Sequence, residues 1–159
     1  MELLATPSQT VGPFFNIGLV GTFAPELVSP DAPEAIRIHG RVLDGAGDPV
    51  LDALVELWLG DALGRSETTD AGRFAFVVTK PAAVVGAPHL RVGVFARGLL
   101  KELVTRIYFP DEAEANAADP VLAELEPELR QTLVAVPDGD GLRFDIHLQG
   151  ERQTAFFAL

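Results

Sequence analysis

Few side chains in this 159-residue chain could do chemistry on their own. The chain has three histidines (His39, His89 and His147), one tyrosine, Tyr108, and no cysteine. Without cysteine there can be no disulfide, thiolate nucleophile or zinc–thiolate site. His39 and His147 lie on the polar faces of alternating stretches, where a solvated strand histidine is the simpler interpretation. His89 follows Pro88 where a loop enters a strand, a common place for ligands and catalytic groups, but no second group accompanies it.

The motifs of several enzyme classes are missing. None of the serines lies in a Gly-x-Ser-x-Gly turn. The sequence has no Gly-x-Gly-x-x-Gly, Gly-Lys-Ser/Thr or His-Glu-x-x-His pattern. Asp52 and Glu56 flank a predicted strand, but nothing in their spacing marks a pair of catalytic acids. Taken alone, the residues therefore do not predict a self-sufficient active site.

Composition narrows the choice of partners. The chain has 12 Lys and Arg against 23 Asp and Glu, a formal net charge of −11, which disfavours a nucleic-acid partner. Its apolar runs are too short to span a bilayer, and no secretory signal is visible, so we expect a cytoplasmic protein. The high hydrophobic fraction, 48%, fits either a buried subunit interface or a generous core.

Period-two alternation is the strongest structural signal. In "IRIHGRV" the residues Ile36, Ile38 and Val42 share one face, and Gly- and Asp-rich turns separate this stretch from others like it. Many short strands at such spacing predict a mainly β protein, an antiparallel β-sandwich. The predicted strands are 36–42, 54–59, 73–79, 90–96 and 142–148, and the turns are 44–49, 69–74 and 137–141.

One segment breaks the β pattern. Residues 111–118 are rich in Ala and Glu, which predicts a short helical excursion that ends near Asp119-Pro120. We find no repeat or linker, so residues 1–159 are expected to form a single domain. Residues 1–15 are expected to form an N-terminal arm, which includes the stretch "ATPSQTVGPFF" at 5–15. We expect Phe14 and Phe15 of this arm to anchor in a partner.

Several stretches together resemble the intradiol ring-cleavage dioxygenase family, and specifically its α-type chains. The arm carries "TPSQTVGPFF", the predicted core hairpin reads "IRIHGRVLDGAGDPVLDALVELW", and the next strands read "TTDAGRFAFVVTKP". The long block "APHLRVGVFARGLLKELVTRIYFPDEAEANAADPVL" and the terminal "RFDIHLQGERQTAFF" are similar to α-type chains in particular. These stretches cover most of residues 5–157.

The resemblance implies a chain that works with a partner. In this family an α chain pairs with a homologous β chain, and the pairs associate into larger hetero-oligomers. The β chain binds a non-haem Fe(III) through two Tyr and two His, and the iron activates a bound catechol for attack by O₂. The expected substrate is a small aromatic acid, and the α chain is expected to bind no iron.

The ligand count agrees with that expectation. The family's ligand set needs two tyrosines, and this chain has one. In the iron-binding relatives the two histidine ligands stand in a Pro-x-His-x-His arrangement. The corresponding stretch here contains Pro88, His89 and Arg91, so an arginine occupies the position of the second histidine. Arginine stays protonated and offers no lone pair to a metal, so His89 and Arg91 are interpreted as vestigial ligand positions.

The resemblance also implies which residues line the mouth of the shared site: Thr10, Gly12, Pro13, Phe14 and Arg97. Gly12 allows close approach of the backbone to a ligand, and Pro13 lowers the entropy lost on ordering the arm. Arg97 supplies a permanent cation suited to a substrate carboxylate. The alternative for Arg97 is an ordinary ion pair with one of the many acids.

One departure from the α-type pattern follows Ala62, where a segment of the relatives is missing. Its loss puts in doubt any partner contact or site wall that the segment builds. Two alternatives to the α-type subunit therefore stay open: a homo-oligomeric β-sandwich binding module that has lost catalysis, and an enzyme that uses His89 with a ligand from a neighbouring copy.

Overall fold

The computed structural model describes residues 5–83 and 85–158, so the first four residues of the predicted arm lie outside the described residues. The described residues form nine strands and four short helices. The strands are β1 (Ile36–Leu43), β2 (Leu54–Leu59), β3 (Ala62–Glu67), β4 (Arg73–Val78), β5 (His89–Phe95), β6 (Leu103–Tyr108), β7 (Val136–Asp138), β8 (Gly141–Arg143) and β9 (Ile146–His147). The helices are α1 (Pro13–Leu19), α2 (Ala113–Ala118), α3 (Pro120–Ala123) and α4 (Pro127–Gln131).

The strands form two sheets that enclose the main core. The first sheet has the order β4-β1-β8-β7, with β9 also paired to β1, and the second has the order β3-β2-β5-β6. Alternate residues of each strand point inward, so Ile38 and Phe76 of the first sheet belong to the same buried cluster as Leu57, Leu90 and Val92 of the second. The predicted β-sandwich is confirmed.

The last predicted strand, 142–148, is divided in two. β8 and β9 both run parallel to β1, whereas every other pairing between these strands is antiparallel. Between them the Phe144 carbonyl crosses so close to Gly40 that a Cβ there would lie 1.8 Å from the oxygen. The backbone N–H of Arg41 donates to Asp145 Oδ1 at 3.0 Å instead of to a backbone carbonyl. Alternation in the sequence does not show this interruption because the inward positions, Phe144 and Ile146, stay in phase.

The predicted helix at 111–118 is confirmed as α2, but three further helices were not predicted. Each of the three has proline in its first turn: Pro13 in α1, Pro120 in α3 and Pro127 in α4. Proline is favoured there because its fixed φ suits a helix and its missing N–H costs nothing. Asp119-Pro120 was read as a helix end, whereas it also begins the next helix. No helix among residues 5–83 and 85–158 is long and apolar enough to cross a membrane.

Three strands, β3, β6 and β7, were also not predicted, and β7 overlaps the start of the predicted turn at 137–141. β3 is mostly polar and half-buried, so it lacks a clear apolar face. It pairs with β2 through a two-residue turn, with Leu59 opposite Ala62 and Gly60 at a φ of +59°. This tight hairpin carries the chain from β2 into β3 next to Ala62, after which we expect the sequence to depart from the α-type pattern.

Candidate functional site

The arm and the predicted cation Arg97 lie next to each other. The Thr10 hydroxyl oxygen accepts a hydrogen bond from the backbone N–H of Gly98 at 2.7 Å. Gly98 follows Arg97 in the turn that leaves β5, closed by a bond from Leu99 N–H to the Ala96 carbonyl. The bond joins residues 88 positions apart in sequence, and a shared role of Thr10 and Arg97 at the mouth of a site stays a prediction.

The rest of the arm forms the start of α1. Gly12 caps the helix with an extended backbone, and its carbonyl accepts from Phe15 N–H at 3.0 Å. No atom of the described chain lies within 4 Å of where a Gly12 Cβ would stand. The fold therefore does not demand glycine at this position, and close approach of an outside ligand to Gly12 stays a prediction. Pro13 is the first residue of α1.

Helix α1 has one face on its own domain and one face in solvent. The Phe15 ring lies 5.3 Å from the Phe95 ring, centroid to centroid, and the buried Asn16 donates to Glu67 at 3.2 Å. Phe15 thus packs inside the chain, which corrects the expectation that both aromatics anchor in a partner. The other face, here called the α1 apolar face, is exposed and consists of Phe14 (84% exposed), Ile17 (67%) and Val20 (41%).

Arg97 lines a cavity whose walls are mostly apolar, and it is the one cationic residue among the described residues of that lining. The side chain is half-exposed, and its Nη2 lies 3.2 Å from Asp52 Oδ2. The ion pair that the sequence left open as an alternative is therefore present. The cavity has a volume of about 570 Å³. Its lining residues are Asp44, Pro49, Val50, Leu51, Arg97, Gly98, Leu99, Leu148 and Gln149.

The apolar wall of this cavity was not predicted. It comes from three separate loops, so no local pattern in the sequence marks it. Asp44 brings a negative charge to the rim, but its Oδ1 already accepts two backbone N–H bonds, from Ala46 and Asp48, both at 2.9 Å. A cleft with apolar sides and one cation suits a small aromatic acid.

The vestigial ligand positions lie elsewhere, on the outer face of the second sheet. His89 Nδ1 donates to the Ala87 carbonyl at 2.9 Å, and burial lowers the pKa of His89. Arg91 forms an ion pair with Glu102 at 3.2 Å, and its guanidinium lies 5.9 Å from the centre of the Trp58 ring. One imidazole beside a paired arginine does not make a metal site.

Tyr108 is a structural residue. Its ring is fully buried, and its hydroxyl donates to Asp119 Oδ1 at 3.3 Å and accepts from Arg106 Nη1 at 3.1 Å. Burial raises the pKa of Tyr108, which disfavours the tyrosinate that an iron ligand requires. Within the described part of the chain no group of three or more His, Cys, Asp or Glu could hold a metal ion. These residues do not fit the family's iron site.

Asp119, which accepts from the Tyr108 hydroxyl, also binds several backbone N–H groups. Asp119 was not predicted from the sequence to have this structural role. It is buried, and its carboxylate accepts from the backbone N–H of Ala87 at 2.8 Å and of Val121 and Leu122 at 2.9 Å each. Burial acts to raise the pKa of Asp119, but these hydrogen bonds outweigh it and hold the pKa below its usual value. The signal available was the Asp-Pro pair, which is a common helix start.

Comparison with known proteins gives strong matches along the chain, although no family model matches it. The chain is 41% identical to the protocatechuate 3,4-dioxygenase alpha chain of Pseudomonas putida, covering 99% of this chain and 98% of that one. It is 38% identical to the alpha chain of Burkholderia cepacia, covering 98% of each. The beta chain of Burkholderia cepacia is 30% identical over 76% of this chain and 67% of its own length.

Solved structures share the fold at low sequence identity. The dioxygenase domain of a carbohydrate-binding fusion from Streptomyces sp. SirexAA-E superposes with a TM-score of 0.62 at 22% identity, covering 91% of this chain and 99% of that one. An intradiol ring-cleavage dioxygenase from Tetranychus urticae gives 0.62 at 13% identity, covering 82% and 84%.

The sandwich is therefore the fold of the intradiol dioxygenases, as the sequence resemblance indicated. Among the relatives, those matched over nearly their full length are alpha chains, and the matches run from end to end. The chain belongs to the family of protocatechuate 3,4-dioxygenase alpha chains. The alignment with the Pseudomonas putida chain extends over 197 residues, more than the 159 present here, so that relative carries residues that this chain lacks.

Proposed function

We propose that this chain is the α-type subunit of a protocatechuate 3,4-dioxygenase. It binds no iron itself and helps to form the site where Fe(III) on a homologous β chain cleaves 3,4-dihydroxybenzoate with O₂ to 3-carboxy-cis,cis-muconate. The observation that carries this proposal is the 41% identity to an alpha chain over nearly its entire length. The homology to a beta chain supports a partner of the same fold.

The role proposed for this chain is to supply one wall of that site. Thr10 joins the arm to the turn after Arg97, Gly12, Pro13 and Phe14 are proposed to line the mouth of the site, and Arg97 offers a cation to the carboxylate of the incoming acid. This local cation matters because the chain as a whole, at −11, would repel an anion. The apolar wall of the same cavity suits the aromatic ring.

The iron is proposed to belong to the β chain because the residues at this chain's vestigial positions do not fit it. Arg91 is a paired cation, and Tyr108 is held protonated by burial. Fe(III) on the partner supplies the activation of the catechol towards O₂. The part left to this chain is to bind, orient and shield the substrate.

The α1 apolar face is the surface proposed to meet the β chain. It is exposed, and its residues stand three positions apart, with Phe14 and Ile17 in α1 and Val20 at its C-cap. A homo-oligomeric binding module would instead place a second copy of this chain on the same face. Co-expression with the β chain distinguishes the α-type subunit from the binding module. An obligate α chain should co-purify with β at equal stoichiometry, and a binding module should not.

The function is tested by reconstituting the α and β chains and measuring turnover of 3,4-dihydroxybenzoate. The complex should be active, and the α chain purified alone should be colourless and inactive. A burgundy tyrosinate–iron absorption band from the α chain alone would contradict the proposal.

Within that complex, Arg97→Ala should lower kcat/KM for 3,4-dihydroxybenzoate about tenfold, the size of one charge-assisted hydrogen bond at a half-exposed site. Turnover of catechol, which has no carboxylate, should change less than twofold. Arg37→Ala is the matched control, since Arg37 is similarly exposed and also pairs with one acid, Asp140 at 3.9 Å. Equal loss on both substrates would leave Arg97 with a structural role only.

A further inference from the structure

Asp52 holds a backbone conformation that its neighbours do not share. Its φ is +61°, and among residues 5–83 and 85–158 it is the one non-glycine residue with a positive φ. This left-handed region brings the Cβ of an ordinary residue close to its carbonyl, although Asp and Asn tolerate it better than most. Such strain persists only where surrounding structure enforces it, and it gathers at functional sites.

Thr68 enforces the conformation from the neighbouring strand end. Its buried hydroxyl donates to the Val50 carbonyl at 2.8 Å and accepts from the Ala53 N–H at 2.9 Å. Its own N–H donates to the Ala53 carbonyl at 2.9 Å. These bonds fix both ends of the two-residue turn, Leu51 and Asp52, so the direction of the Asp52 side chain is set by the sandwich.

That direction leads to Arg97. Asp52 Oδ2 lies 3.2 Å from Arg97 Nη2, and in the described part of the chain no other acid forms an ion pair with Arg97. A guanidinium has five N–H donors. One carboxylate at the Nη2 end therefore leaves donors free for a second carboxylate.

We propose that Asp52 is a positioning residue, which holds the Arg97 guanidinium in the orientation that receives the substrate carboxylate. The proposal rests on the proposed function, because it assumes that the ligand of Arg97 is the carboxylate of an aromatic acid. Asp52 itself does not touch the substrate.

Asp52 has two opposing effects on Arg97, and they predict opposite results. Its charge weakens the attraction of Arg97 for an anion, while its contact restricts a long side chain that otherwise loses much rotamer freedom on binding. The Arg97 side chain is 53% exposed, so water screens the first effect. The restriction of the Arg97 side chain therefore outweighs the effect of the Asp52 charge. Removal of the Asp52 carboxylate weakens binding of the substrate.

The experiment uses the reconstituted α–β complex with Asp52→Asn and Asp52→Gly. Both residues adopt a positive φ readily, so both variants keep the turn. The KM for 3,4-dihydroxybenzoate should rise about two- to fivefold in each, the range that fits an ion pair of this exposure. The kcat for this substrate and the turnover of catechol should stay unchanged.

Asp70→Asn is the matched control, because it removes the same charge from an exposed turn that has no ion pair among the described residues. In an Arg97→Ala background, Asp52→Asn should have no further effect, since the group that it positions is gone. An unchanged or lowered KM in Asp52→Asn would overturn the inference, as would a full Asp52 effect in the Arg97→Ala background.

The two proposals fail in different ways. An α–β complex without dioxygenase activity contradicts the proposed function and, with it, this inference. A complex in which Arg97→Ala acts selectively on 3,4-dihydroxybenzoate while Asp52→Asn has no effect contradicts this inference alone.

Discussion

Substitution of Asp119 should destabilise the fold more than that of any exposed acid in the described chain. The carboxylate caps α3 through Val121 and Leu122 and ties the 85–88 loop, which precedes His89, to that helix through Ala87 N–H. Asp119→Ala removes the cap, worth about 1 kcal/mol. It also leaves the buried Ala87 N–H without a partner, which costs about 1–3 kcal/mol.

The expected loss is therefore about 3 kcal/mol in the free energy of unfolding, or roughly 6–12 °C in Tm for a domain of this size. Asp119→Asn divides the two contributions. Its carbonyl oxygen can still cap α3, but its NH₂ cannot accept from Ala87, so it should lose only the second contribution, about 1–3 kcal/mol.

The assay is urea unfolding at one protein concentration, in the oligomeric state in which the protein is isolated. Asp111→Ala is the control, because the Asp111 side chain is 68% exposed and, among the described residues, its one ion pair is with Lys80; it should cost less than about 1 kcal/mol. Hydrogen exchange should also quicken at residues 85–90 in both Asp119 variants and not in Asp111→Ala. A loss from Asp119→Ala no larger than that from Asp111→Ala would refute the reasoning.

Two further predictions concern acid stability and assembly. The lowered pKa of Asp119 stabilises the fold above the unfolded-state value of 3.8, and this stabilisation is lost as the pH falls through the folded-state pKa. The stability gap between the native chain and Asp119→Asn should therefore narrow below about pH 4 in a series of urea titrations, and a gap that widens there would contradict the assigned cause. On the α1 apolar face, Phe14→Ser should reduce co-purification with the β chain while Tm stays within about 2 °C, because the ring is exposed. Val136→Ser, at a side chain 51% exposed elsewhere, is the control; equal losses from both would remove α1 from the interface.

Much of the fold could be predicted because strand alternation is a local property. The faces of β1 and the bounds of β2 follow directly from the spacing of apolar residues. β3 could not be found this way, since it is half-buried on both faces and exists by pairing with β2. The division between β8 and β9 depends on the approach of Phe144 to Gly40, two residues far apart in sequence.

For the candidate site, the types of groups available can be read from the amino-acid composition and motifs. The chain has a single tyrosine, and Arg91 stands where the resemblance places a second histidine, so it lacks the two-tyrosine, two-histidine ligand set that the resemblance implies for the β chain. The resemblance implied that Thr10 and Arg97 line the mouth of one site; the structure shows a hydrogen bond from Gly98 to Thr10, and the site itself stays a prediction.

Which of these groups meet depends on how the chain folds. Phe14 and Phe15 are adjacent and chemically identical, yet one faces solvent and the other packs on Phe95, because a helix turns consecutive side chains to different sides. Asp52 reaches Arg97 because Thr68, just after β3, fixes the turn that contains Asp52. Contacts of this kind join residues that are distant in sequence, and no local pattern records them.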